Sequence, residues 1–146
     1  MYKHILVPVD GSETSMKAVA RAAALAKAFE SEVTLLYVID PYPFTGVGAD
    51  FAYGQAQYLS AANAEANTAL DAAREAVAAA GVGQVSTVVG EGHTVHEGVL
   101  EAVENAHADL VVMGSHGRRG LEKLVLGSVT QRVLGVVKVP VLVVRD

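Results

Sequence analysis

The chain has 146 residues, 51% of them hydrophobic and 18% charged, with a formal net charge of −5. That length and mixture suit one globular domain spanning residues 1–146, with a core of its own, rather than a disordered chain. The acidic balance argues against nucleic acid or an anionic membrane as a partner, and the lack of cysteine removes disulfides, thiol nucleophiles and Cys-bound zinc.

The first stretch, "MYKHILVPVDGSE", reaches an aspartate early and lacks the apolar centre of a secretory signal. No apolar run attains the ~18 residues of a membrane span. The expectation is a cytoplasmic protein.

Residues 3–9, "KHILVPV", form the first β-branched run and are followed by an amphipathic stretch, 14–29, that places Val19, Ala22, Ala23, Ala26 and Phe29 on one helical face. A second strand is expected at 32–39, "EVTLLYVI". Residues 40–54 read as irregular. Five aromatics, Tyr42, Phe44, Phe51, Tyr53 and Tyr58, lie within 42–58, and the expectation is that they pack back onto the domain rather than form a lid or a partner surface. An alanine-rich helix follows at about 55–80, stopped by Gly81. The third strand, 84–89, carries Ser86 and Thr87 and is more polar, as an edge strand would be. Residues 94–106 read as a helix capped by Thr94, residues 109–113 as a fourth strand, 128–137 as a last helix and 139–144 as a closing strand.

Four of the five strand runs are almost continuously apolar, which is the pattern of strands covered on both faces. Strands alternating with helices give parallel pairing through right-handed crossovers. The fold class is therefore α/β: an open five-stranded parallel sheet with helices on both faces.

Ligands of such sheets sit beyond the carboxyl ends of the strands, where the winding reverses. Two strand ends carry unusual chemistry. The first ends in "VPVDGS", with Asp10 at its tip, and the fourth runs into "MGSHGRRGLEKLVLGSVTQR". Gly114, Gly117 and Gly120 can expose backbone N–H groups without side chains in the way, and the helix starting near Ser128 adds unpaired amides and a dipole. Ser128 can cap that helix or donate to a phosphate oxygen. Arg118, Arg119 and Lys123, against Glu122 alone, make the loop locally cationic in an acidic protein. Glycines admit phosphates and cations balance them. Asp10 would repel a phosphate, so it suits a ribose hydroxyl or a phosphate-bound Mg²⁺. A nucleotide across the crevice accounts for all of these, against the plainer reading of turn glycines and solvated cations.

Other constellations carry less. "EGHTVHE" at 91–97 offers Glu91, His93, His96 and Glu97, yet it straddles a loop and a helix start, and no metal is assigned to it. Ser115 beside His116 lacks the Gly-x-Ser-x-Gly of a nucleophile elbow. The acidic cluster and acceptor aspartate of a receiver domain are missing, as is a Gly-Lys-Ser/Thr phosphate loop. His116 is read as ordering the loop, and no catalytic residue is assigned.

The spacing Gly114-x2-Gly117-x9-Gly127-Ser128, with "ILVPVDGSE", "LLYVID", "DLVVMGSHGRRG" and "PVLVV", resembles the ATP-binding type of the universal stress protein family over Tyr2 to Arg145. The resemblance implies a Rossmann-like sheet of the adenine nucleotide alpha hydrolase kind, ATP or another adenine nucleotide as ligand, and Mg²⁺ bound through its phosphates. Pro8, Val9 and Asp10 would line the adenosine side, with Asp10 toward the ribose, and Val38 would offer its backbone to adenine. Met113, Gly114, Gly117, Gly127, Ser128 and Val129 would surround ribose and phosphates, with Arg118 nearby. It implies a stress-survival or signalling role in which turnover is slow or absent. The apolar final strand, read as a sheet edge, together with the resemblance, points to a homodimer through that strand and to an unknown regulatory protein partner. A slow Mg²⁺-dependent ATPase or phosphotransferase, and a dimeric scaffold indifferent to nucleotide, are the alternatives.

Overall fold

The computed structural model describes residues 1–41, 48–117 and 126–145. In chain order the elements are β1 His4–Pro8, α1 Glu13–Phe29, β2 Glu32–Ile39, α2 Ala49–Ala79, β3 Val85–Glu91, α3 Val95–Ala106, β4 Leu110–Gly114, α4 Ser128–Val136 and β5 Val141–Val144. All strands pair in parallel, in the order β3-β2-β1-β4-β5. β3 and β5 are the edges, as their positions in the sequence suggested.

The near-continuous apolar runs are explained by the two covered faces. Ile5, Val7, Val33, Leu35, Leu110 and Val112 point toward α1 and α2. Their neighbours Leu6, Leu36, Val111 and Met113 point the other way, onto Val99 and Val103 of α3 and Val133 of α4. Full burial of each such side chain stabilises the fold by about 1.5–3 kcal/mol. β3 has one covered face only, and its even-numbered residues Ser86 and Val88 are exposed.

Helix starts follow local chemistry. Gly11 turns the chain at φ 84°, a conformation that side-chain-bearing residues avoid, and Ser12 then caps α1 by accepting from the Ser15 amide at 3.1 Å. Thr94 caps α3 in the same way, accepting from Glu97 N at 3.3 Å.

The middle of the chain differs from its sequence reading. α2 begins at Ala49, inside the stretch expected to be irregular, because the break falls at Gly48 with φ 110° and residues after it are mostly helix-compatible. Phe51, Tyr53 and Tyr58 are therefore helical. Tyr53 stays 66% exposed and does not pack back. Tyr42 and Phe44 lie outside the described residues. β3 also runs on to Glu91, since Gly90 and Glu91 still pair with Val38 and Ile39. Among the described residues no helix is long and apolar enough to cross a membrane.

Candidate functional site

The chain leaves β1 for β2 on one side and reaches β4 on the other, so the winding reverses between β1 and β4. At their carboxyl ends lies a crevice of about 100 Å³. Pro8, Val9 and Asp10 come from β1 and its turn, Met113, Gly114, His116 and Gly117 from β4 and the loop after it, and Val129 and Thr130 from the start of α4. All nine but His116 and Thr130 were among the expected site residues or beside them in the motif.

Close approach explains the glycines. A Cβ on Gly114 would come within 2.7 Å of Thr14 Cγ2, and one on Gly127 within 3.1 Å of His116 Cα. A Cβ on Gly117 would come within 2.5 Å of Asp10 Oδ2. Asp10 Oδ1 meanwhile accepts from Ser12 N at 2.9 Å, which orients the carboxylate over the turn into α1.

The loop's two ends are pinned. Gly127 N donates to Ser115 O at 2.7 Å, and Ser115 N donates to Val144 O of β5 at 2.8 Å. Thr130, buried in the first turn of α4, donates its hydroxyl to Gly114 O at 2.9 Å. This ties the helix start to the end of β4. His116 sits between two hydroxyls, with Nδ1 3.2 Å from Ser115 Oγ and Nε2 3.3 Å from Thr14 Oγ1. That arrangement matches its reading as a loop-ordering residue.

Gly127 is the N-cap of α4, and among the described residues no side chain caps this helix end. One of the two roles read for Ser128 is thereby corrected. The hydroxyl does not cap, because the Gly127–Ser115 bond sets the cap one residue earlier and leaves Ser128 exposed as the first helical residue. The start of α4, the glycines and a single carboxylate thus meet at one sheet junction.

Val38, whose backbone rather than side chain was expected to meet adenine, stands near the end of β2, outside the lining of this crevice. Its side chain packs on α3, where a Cβ at Gly98 would lie 2.7 Å from both its γ-carbons. Arg118 lies outside the described residues, as do Arg119, Gly120 and Lys123. Conversely, Ser15 and Val95 line the crevice and were not expected there. Ser15 follows the Ser12 cap, and Val95 is an exposed apolar residue opening α3, a signal visible only once α3 is placed beside β1.

The chain is an α/β domain with a glycine-lined crevice at the switch point of its parallel sheet. Comparison with known proteins narrows the class. The family model described as "Universal stress protein family" matches residues 1–145. Universal stress protein MJ0531 of Methanocaldococcus jannaschii is 38% identical over 145 residues, covering 99% of this chain and 83% of that protein. Among solved structures, universal stress protein UspA from Lactobacillus plantarum superposes with a TM-score of 0.87 at 26% identity, over 99% of this chain and 98% of that one. A universal stress protein in complex with cAMP superposes with a TM-score of 0.75 at 28% identity, covering 99% and 97%. The chain belongs to the universal stress protein family.

Proposed function

We propose that this chain is a cytoplasmic regulatory protein of stress survival that binds an adenine nucleotide, ATP first among them, in the β1–β4 crevice. The observation that carries the reading is the uncapped start of α4 facing the same crevice as Asp10 and the close-packed Gly114, Gly117 and Gly127. The complex of a relative with cAMP supports an adenine nucleotide as the ligand class.

A nucleotide needs more room than the crevice offers, since ligand pockets typically measure about 300–1,000 Å³. Binding therefore parts Asp10 from Gly117, and the freed carboxylate oxygen meets a ribose hydroxyl. Where Mg²⁺ accompanies the phosphates, Asp10 is the one carboxylate among the described lining residues. Binding rather than turnover is favoured because the other titratable side chain there, His116, already has both ring nitrogens beside hydroxyls. The second subunit joins through β5, an edge strand whose Leu142 is 40% exposed.

The deciding experiment denatures freshly purified protein and identifies the released nucleotide by chromatography and mass spectrometry, with a melting scan with and without added Mg·ATP. Copurified ATP and a raised midpoint support a binding protein with little turnover. ADP or AMP in its place shifts the reading to a slow ATPase. An empty site whose midpoint ignores ATP, ADP and AMP leaves a nucleotide-independent scaffold.

A further inference from the structure

The crevice is not the most spacious hollow in the molecule. A groove of about 550 Å³ runs along the other end of the sheet, between β3 and α3. It exists because α3 packs on β1 and β2 and no described residue covers the outer part of that face. Val88, at its centre, is 43% exposed.

The groove has a gradient of chemistry along its length. Where the strands begin, the floor is polar. His4 Nε2 lies 2.7 Å from Thr34 Oγ1, and Thr34 Oγ1 lies 3.2 Å from Ser86 Oγ, a hydrogen-bonded row across three strands with Asn105 beside it. Further along, the floor is Leu36 and Val88, flanked by Glu101 of α3. Gly90 and Glu91 close the carboxyl end. Apart from His4, the charged residues of the lining are Glu91 and Glu101, and no lysine or arginine is among them.

The groove borders an edge that is unprotected. β3 pairs with β2 over seven residues and, among the described residues, has no strand on its other side. Proteins ordinarily blunt such an edge with proline, lysine or a bulge. From Val85 to Gly90 this strand contains neither proline nor any charge, and its register with β2 is unbroken.

We propose that β3 and this groove take an extended basic segment of a partner protein as an added strand. Backbone hydrogen bonds to the open edge supply affinity, and alternate side chains enter the groove. An apolar side chain rests on Leu36 and Val88, and the lysine or arginine two residues away reaches Glu101 or Glu91. A second copy of the chain is disfavoured as occupant because neither of its edge strands, β3 with VSTVVGE or β5 with VLVV, carries a lysine or arginine to meet Glu101. A small molecule would gain nothing from the open edge. The site is distinct from the nucleotide crevice and stands whether or not a nucleotide binds there.

The test is fluorescence anisotropy with a labelled peptide of sequence RTVTRTV, whose arginines and valines share one face of a strand, and a control with glutamate for arginine. The expected result is saturable binding of the basic peptide alone, with hydrogen exchange slowed at the amides of residues 85–91. Val88→Lys and Glu101→Lys, both at exposed positions and so compatible with folding, each weaken binding about tenfold, or ~1.4 kcal/mol. Circular dichroism confirms that both variants remain folded. Failure of the peptide to bind, equal binding of the acidic control, or indifference to both substitutions overturns the proposal. Binding displaced by spermine without slowed exchange in β3 also overturns it, by assigning the groove to small polycations.

Discussion

The carboxylate of Asp10 rests against the backbone of Gly117, across the junction of β1 and β4, and a Cβ at position 117 would stand 2.5 Å from its Oδ2. Residues 107 positions apart are held together because β1 and β4 are neighbours in the sheet although three elements of chain separate β2 from β4. The acidic and glycine-rich halves of the site therefore form a single surface.

Substitution of Gly117 tests that surface. Gly117→Val places a branched side chain against Asp10, where the proposed nucleotide would lie, and on that proposal ATP-dependent stabilisation in a melting scan is expected to vanish. The midpoint without ligand is expected to fall by only a few degrees, since position 117 is exposed. Retention of the full ATP-induced shift would move the phosphate site elsewhere.

Gly127→Ala acts on the loop's anchor. Its φ of −62° is open to alanine, but the new Cβ would press on His116 Cα at 3.1 Å and Ser115 O at 3.3 Å. Calorimetric titration with Mg·ATP is expected to show binding lost or weakened at least tenfold, with far-UV dichroism unchanged.

Gly98 and Val38 form a packing pair. Gly98→Ala gains about 1 kcal/mol of helix propensity, yet drives a methyl to 2.7 Å from both γ-carbons of Val38. Overpacking of a buried contact costs about 1–3 kcal/mol, so the variant is expected to be less stable in urea. Val38→Ala in the same chain removes the clash. A double variant more stable than Gly98→Ala alone would confirm the coupling, and strict additivity would refute it.

Asp109 ties the start of β1 to the start of β4. Partial burial pushes its carboxyl pKa up, but hydrogen bonds from the His4 and Lys3 amides, at 3.0 and 2.9 Å, and from its own amide outweigh this and hold it below the ordinary carboxylate value. A depressed folded-state pKa gives stability that is present above the unfolded pKa of about 3.9 and lost as pH falls through the lower folded value. Asp109→Ala is expected to cost about 1–2 kcal/mol at neutral pH. The gap from the unsubstituted chain should close in strongly acidic urea titrations. A gap constant from neutral pH to well below the carboxylate range would show that packing, not the ionised hydrogen bonds, is what the substitution removes.

Leu142→Lys addresses assembly. Leu142 is 40% exposed on an edge strand, where a charge opposes strand pairing without disturbing the monomer's core. For a chain that pairs through β5 as proposed, light scattering is expected to show a dimer before the substitution and a monomer after it. An unchanged mass would place any dimer contact away from β5.

Much of this molecule is determined by local pattern. The apolar runs, the Ser12 and Thr94 caps and the glycine turns specify strands, helices and their alternation, because hydrogen bonding and burial at those positions depend on near neighbours in the chain. The parallel sheet follows from that alternation, whereas the juxtaposition of Asp10 with Gly117 depends on the strand order that sets β4 beside β1. Other features needed the tertiary structure. Ser128 loses its capping role through a bond between Gly127 and Ser115, and Val38 turns to α3 because Gly98 leaves space there. Val95 enters the crevice because α3 is laid beside β1. The groove over Val88 depends on which strand α3 leaves uncovered, a matter of how helices tile the sheet. Such relations join residues distant in sequence, and no pattern along the chain encodes the distance between them.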